Sequence, residues 1–374
     1  MTHEIFVIDQ KSLLNILSSM QPICTRRTTA ETTNYILFQI GPKELILKAT
    51  DFEISLQSSC LIKESSCIIE SSFLVSGKRI YDLVKELDGL IVCTIQNNQL
   101  LLKSGTVSLS LHIKDAQEFP SFPERIENLM QFETDQLLGM VAKVAFLIPQ
   151  SNVNQSLNGL LLELSSTGCT MTATDGHCLA QLYCNKYTLE EGKKWLIPRR
   201  AVFELKKIAE SSQEKNIFLG VCKSHLVFSG ETFNFFTKLL VDNFPQYAAI
   251  LDKTGFIPAK IDKNQFIKTL RRSSCLLSGQ FIATKFDISN QNMQVSMSNK
   301  DVGTLQENIE LEDCNTHDMH IRFYAPYLLN GLQVFGEEKI TFMLSNNTRP
   351  IIFKSSYQHC DFTYLVMPVA PSHG

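Results

Sequence analysis

One stretch of pattern recurs three times along the chain, and a repeat of that length constrains the fold more than any other feature. The helical spacing of Leu13, Leu14, Ile16 and Leu17 in IDQKSLLNILSSM returns 124 residues on in ETDQLLGMVAKVAF, at Leu137. It returns again in IDKNQFIKTLRRSSCLL, at Phe266. A strand running into a turn repeats as LILKATDFEISL, CTMTATDGHCLA and MQVSMSNKDVGTL, with Asp51, Asp175 and Asn299 successively 124 residues apart. A short strand leading into a second helix repeats as FLVSGKRIYDLVKEL, WLIPRRAVFELKKIAE and IRFYAPYLLNGLQVF, aligned at Ile80, Val202 and Leu328. Each copy then closes beside a proline: Pro120 in EFPSF, Pro245 in DNFPQY and Pro368 in LVMPV. Four blocks in one order at a nearly constant period make the chain three copies of one domain.

Each copy reads strand, helix, several strands, strand, helix, several strands. Alternation in Thr170-Met171-Thr172-Ala173 and in Val107-Ser108-Leu109-Ser110-Leu111 predicts sheets with one buried face. Two helices per copy supply the cover, which gives an α+β class of three tandem sheet-plus-two-helix domains. The boundaries expected are 1–127, 128–253 and 254–374, just past the inner proline-containing closures, with direct docking and no low-complexity linker.

Composition narrows the function classes. With 44% hydrophobic residues and no long run of like charge, disorder is excluded. No apolar stretch approaches the ~18–20 residues of a membrane span, and MTHEIFVIDQKSLL lacks the pattern of a signal peptide. A cytoplasmic protein without membrane contact is expected. The 11 cysteines form no CxxC pair, and the closest group, Cys169, Cys178 and Cys184, lacks metal-ligand spacing. Reduced, mostly buried thiols and no metal are expected.

The net charge of −3 does not advertise a nucleic-acid binder, but its distribution is uneven. Segments 9–20, 76–88, 134–146, 198–210, 262–275 and 325–335 hold 13 basic and 8 acidic residues, so the predicted helices carry +5 and the remainder −8. One reading is that helices from all copies face a phosphate backbone, which needs only positive charge. The other is that Lys and Arg favour exposed helix faces in any protein.

The repeat architecture, taken with ATDGH, LNGLLLEL, LLVDNFPQY and the terminal YLVMPV, resembles the bacterial DNA polymerase III beta subunit family over essentially the whole chain. The resemblance implies the DNA clamp fold and a head-to-tail homodimeric ring around double-stranded DNA, bound without regard to sequence. It also implies a processivity factor with no chemistry and no cofactor, tethering the polymerase III catalytic subunit and opened by a separate clamp loader. Partners with a QLxLF-type motif would insert into a groove between the second and third domains. By motif that groove takes Leu157, Thr174, Gly176, His177, Leu179, Pro245, Ile250, Tyr327, Thr348, Pro350, Val366, Met367, Pro368 and Val369. DNA contacts are expected from Arg26, Arg27, Lys78, Gln155, Arg199, Arg200, Lys206, Lys268 and Arg271, and dimer contacts from Arg79, Leu83, Leu276 and Leu277.

Several positions depart from the family pattern. Cys178 and Ala248-Ala249 stand where arginines commonly rim the groove, which implies altered partner affinity or selectivity. Ala30-Glu31-Thr32-Thr33 replaces an apolar run after Arg26 and Arg27, and the loop Ser151–Ser156 lacks the usual Arg and aromatic residues. The edge strand of the first domain carries Thr106 and Ser108 in place of basic residues, and Ala370-Pro371-Ser372-His373-Gly374 runs past the usual stop. Two alternatives therefore stand beside the clamp: a divergent paralogue with changed partner or inhibitor specificity, and an enzyme using Asp175 and His177. The enzyme reading lacks a nucleophile, a metal motif or a phosphate loop to complete it.

Overall fold

The computed structural model describes residues 4–66, 70–123, 126–278, 282–289, 291–314 and 318–370. The helices stand where the repeats place them: α1 Gln10–Cys24, α2 Gly77–Lys85, α3 Thr134–Ala145, α4 Arg199–Ser212, α5 Lys263–Cys275 and α6 Ala325–Leu332. Equivalent helices start alike. The carboxylate of Asp9 accepts the Ser12 backbone N–H at 3.1 Å and that of Asp262 accepts the Gln265 N–H at 2.7 Å, satisfying amide groups that the first helical turn leaves unpaired.

Two compact units emerge. The first joins Met1–Leu138 to Arg200–Leu239. Its strands make one antiparallel sheet of thirteen, running from Glu127–Glu133 at one edge to Glu64–Ser65 at the other. Helices α1 and α2 pack side by side and bury Leu13, Leu17, Met20, Ile80 and Val84, each contributing about 1.5–3 kcal/mol by leaving water. Gly77 makes their close approach feasible, because a Cβ there would stand 2.7 Å from the Cys24 Cβ.

The second unit joins Gly139–Arg199 to Leu240–Gly374. It holds an antiparallel sheet of eight strands, from Lys193–Pro198 to Ile257–Asp262, and one of four, from Gly303–Glu310 to Met319–Phe323. α5 and α6 pack together, with Phe266, Leu270, Leu328 and Leu332 buried.

Both units contain the same joint between successive repeats. In the first, Phe233–Lys238 pairs with Ile54–Leu61, Thr237 opposite Ile54. In the second, Cys360–Val366 pairs with Cys178–Cys184, Val366 opposite Cys178. The middle repeat is thus shared between the units, and positions 128 and 253 fall inside them.

Three expectations need correction. Thr172 was expected on an open sheet face but is fully buried, because the connection after Phe233–Lys238 brings Tyr247 over it, with a hydroxyl contact of 3.3 Å. Val107 was expected inside but is exposed, since residues 107–112 pair only with Gln99–Ser104 and have no strand on their other side among the described residues. Pro368 is not the counterpart of Pro245: the Met367 N–H donates to His177 O at 2.9 Å as the Lys238 N–H donates to Glu53 O at 2.8 Å, so Pro368 corresponds to Leu239.

Of the cysteines, Cys24, Cys93, Cys169, Cys178, Cys184, Cys222 and Cys314 are buried, Cys60 and Cys360 half-buried and Cys275 exposed, all as free thiols. Cys67 and Pro371–Gly374 lie outside the described residues. No helix among the described residues is long and apolar enough to cross a membrane.

Candidate functional site

The site in the second unit is built on the turn that ends Gly168–Thr174. Asp175 is consumed locally: one carboxylate oxygen accepts the His177 N–H at 2.8 Å and the Cys178 N–H at 2.7 Å. Thr174 donates its hydroxyl to Cys178 O at 2.6 Å and accepts the Gly176 N–H at 3.1 Å. Gly176 supplies the left-handed backbone at φ 96°. This small hydrogen-bonded cage pushes the exposed His177 ring outward, where it stacks on Tyr327 at 5.3 Å and 18°. Tyr327 is fixed in turn, edge-on to Tyr324 at 5.0 Å and with its carbonyl accepting the Tyr364 hydroxyl at 2.6 Å. α6 sits this close to Tyr364 because Gly331 faces the ring, where a Cβ would approach to 2.0 Å.

Beside the stacked rings lies an apolar floor. Leu179, Ile352 and Leu365 form a buried cluster, and Tyr247, Leu251, Phe256, Met343 and Met367 pack on it half-buried. Of the residues predicted for the groove, Leu157, Thr174, Leu179, Pro350 and Val366 are buried, and Leu179 belongs to this floor. Gly176, His177, Pro245, Ile250 and Thr348 are exposed, while Tyr327, Met367, Pro368 and Val369 are half-buried. Val366 is wholly core, opposite both Cys178 and Ile351. Pro245 lies on the rim of a neighbouring cavity of about 670 Å³ that Trp195, Phe244 and Tyr247 also line.

Sequence reasoning missed the residues that hold the linker wall. Arg349 donates to Thr254 O at 2.6 Å and to Asp252 O at 2.5 Å, and its guanidinium stacks over Phe256 at 4.4 Å. Tyr247 donates to Glu163 at 2.6 Å, and Lys194 pairs with the other oxygen at 2.6 Å. Burial, with the Glu163 carboxylate adding to it, pushes the Tyr247 hydroxyl up to about 12, so it stays a donor at neutral pH. The aromatic in NFPQY was a signal for Tyr247; nothing local marked Arg349.

Cys178 is a further correction. It was expected in the place of a rim side chain but is buried, and desolvation followed by the Asp175 charge raises its thiol. The position points into the sheet core here, while Ala249 is exposed.

The predicted DNA-contact residues divide into two groups. Arg26 and Arg200 both reach the fully buried carboxylate of Asp51; Arg26 also pairs with Glu53, and Arg200 donates to Pro22 O at 3.2 Å. Their charge is largely spent on burying Asp51, since a buried carboxylate needs such partners. Arg199 is half-buried and donates to Ile148 O at 3.1 Å, and Lys206 makes an i,i+4 contact with Glu210 at 3.7 Å. Arg27, Lys78, Gln155, Lys268 and Arg271 are exposed. Of the predicted dimer residues, Arg79 is exposed and Leu83, Leu276 and Leu277 are half-buried.

Repeated sheet-and-helix domains joined through shared antiparallel sheets define the architecture of a DNA sliding clamp. A sliding clamp from Pseudomonas aeruginosa solved with griselimycin bound superposes with a TM-score of 0.89 at 24% identity, covering 99% of this chain and 100% of that one. The beta sliding clamp of Pseudomonas aeruginosa is 26% identical over 97% of this chain and 99% of its own length, and that of Staphylococcus epidermidis 24% identical over 97% and 98%. Residues 5–123, 131–246 and 251–370 match the N-terminal, central and C-terminal domains of the DNA polymerase III beta subunit, and the chain belongs to that family.

Proposed function

We propose that this chain is a DNA polymerase processivity factor whose second unit binds short partner peptides in the groove of His177, Tyr327 and Met367. The observation that carries this is the apolar bed of Leu179, Ile352 and Leu365 beneath half-exposed aromatic and thioether side chains, with Arg349 securing the linker wall. Such a bed suits a strand-like peptide with one or two apolar anchors. The partners are QLxLF-type segments of the polymerase III catalytic subunit, the clamp loader and other replication proteins, in the cytoplasm. Asp175 is engaged by its own turn, so no acid–base pair with His177 is proposed.

Three clamp domains, 1–127, 128–253 and 254–374, would place two copies head to tail around duplex DNA. Two unpaired strand edges support that closure: residues 107–112 in the first unit and Gly303–Glu310 in the second. Two unpaired backbone edges, each in its own unit, are templates for pairing between two copies of the chain.

A second reading is favoured by buried Cys178 and exposed Ala249: a clamp that carries no cation at these two positions and selects partners differently. Fluorescence anisotropy of a labelled QLxLF-type peptide tests both. Saturable binding lost with Met367→Ala supports the groove. Binding of this peptide weaker than that of a variant lacking its polar residue supports the altered selectivity. No binding of either peptide removes the groove assignment.

A further inference from the structure

We infer that the joint between the first and middle repeats carries a second binding cleft, built on the plan of the peptide groove but selective for an acidic peptide segment. The two joints share their hydrogen bonds. Phe52 N–H donates to Thr50 Oγ1 at 3.1 Å as Gly176 does to Thr174, and Asp51 accepts the Glu53 and Ile54 N–H groups at 3.0 and 2.8 Å as Asp175 accepts its two. Strand register extends the match. Val227 faces Phe236, which faces Ser55, as Ile352 faces Leu365, which faces Leu179. Counting along those strands, His225 stands in the place of Pro350, Lys223 in that of Thr348 and Lys238 in that of Met367.

A cavity of about 500 Å³ opens at this joint. Its bed is apolar, with Phe122 and Ile126 packed on buried Cys222, Val227 and Phe236, and Phe52 is exposed at its margin. Its walls carry Lys223, His225 and Lys238 and no carboxylate among the described residues. Lys48 lies 5.3 Å over the Phe122 ring and adds a further cation beside it. The acidic residue of the turn, Glu53, is paired with Arg26. Burial and then the Lys238 charge lower the His225 pKa from its ordinary value, consistent with positive potential inside the cleft.

Cations above an aromatic bed call for a ligand with both negative charge and an apolar anchor. A nucleic-acid backbone would use the lysines alone and leave the bed idle. A carboxylate-rich peptide with one aromatic side chain engages both. The analogy of shape rests on the peptide-groove reading; the cavity and its charges stand without it.

The test is anisotropy of a fluorescein-labelled peptide, DEFDEL, titrated with the full chain at about 100 mM salt, where charge steering remains active. Saturable binding should fall about tenfold or more in K223E/K238E, given two charge-assisted contacts, and be unmoved by Met367→Ala. Both lysines are exposed, so the melting temperature of the double variant should match wild type. Absence of saturation, loss of binding with Met367→Ala, or equal binding of the phenylalanine-free peptide DEADEA would each overturn the proposal. A QLxLF-type peptide titrated against the same variants separates the readings: its failure on the wild type removes the other groove and leaves this cleft standing on its own titration.

Discussion

His225 titrates in a setting that opposes its charge. Burial is the larger cause and the Lys238 ammonium the next, against a smaller raising effect from the Cys222 backbone, and together they lower its pKa from the ordinary 6.5. The unfolded chain therefore takes up the proton first. The stability this neutral imidazole contributes is intact above about pH 6.5 and is lost as pH falls toward the folded value. Proton NMR of the imidazole should place the wild-type midpoint below 6.5, and Lys238→Gln should raise it; an unmoved midpoint would show that Lys238 does not reach the ring. Arg349 makes a different kind of contribution, since it bonds Asp252 O and Thr254 O in the linker beside the proposed groove. Arg349→Ala should reduce QLxLF-type peptide affinity about three- to tenfold by losing charge-assisted bonds and a stacked ring, while the circular dichroism spectrum stays as it is. The turn of Asp175, Gly176 and His177 was legible in the sequence because its chemistry is confined to five residues. Arg349 was not, because its acceptors lie 95 and 97 residues away and depend on how two loops meet.

Secondary elements were legible to the extent that their pattern is local. The helices answered to apolar spacing, and α1 and α5 to an Asp cap as well. Strand faces were less so. A period of two says which residues share a face, but not whether a later stretch of chain will cover the other face, as Tyr247 covers Thr172. Nor does it say whether a strand has neighbours on both sides. The segment 107–112, read as half-buried, is an edge with Val107 exposed and Leu109 half-buried. An edge of this kind is an aggregation hazard unless something pairs with it, so its retention in an apolar form argues for a specific partner strand. Leu109→Asp puts a charge on that edge. In sedimentation velocity it should shift the protein from dimer to monomer at micromolar concentration, with the thermal midpoint nearly unchanged; a dimer that persists would place the contact elsewhere.

On the scale of the whole molecule the question is how a chain of net charge −3 would bind duplex DNA, as the proposed function requires. Bulk charge decides solubility and long-range repulsion, whereas binding depends on the few cations that reach phosphates. The uneven distribution was visible in the sequence, but the number of usable cations was not, because pairing is a property of the fold. Asp51 engages Arg26 and Arg200, and Glu307 engages Arg272 at 2.6 Å. With Lys263 donating to Phe335 O at 2.9 Å, what remains on α5 is Lys268 and Arg271, both exposed and three residues apart, hence on one face of the helix. These two should then carry a measurable part of the salt dependence. Each phosphate contact contributes a slope of about −0.9 in log K against log salt, so removing both should flatten the slope by nearly 2 per protomer. Lys268→Glu with Arg271→Glu, assayed by retention on closed circular DNA across a salt series, should show that flattening together with weaker retention at every salt concentration. Arg200→Gln is the contrast. Its loss leaves the buried Asp51 carboxylate with the more distant Arg26 alone, so the expected outcome is a lower unfolding midpoint with an unchanged salt slope. The reverse pattern would move the DNA-facing charge from α5 to the start of α4.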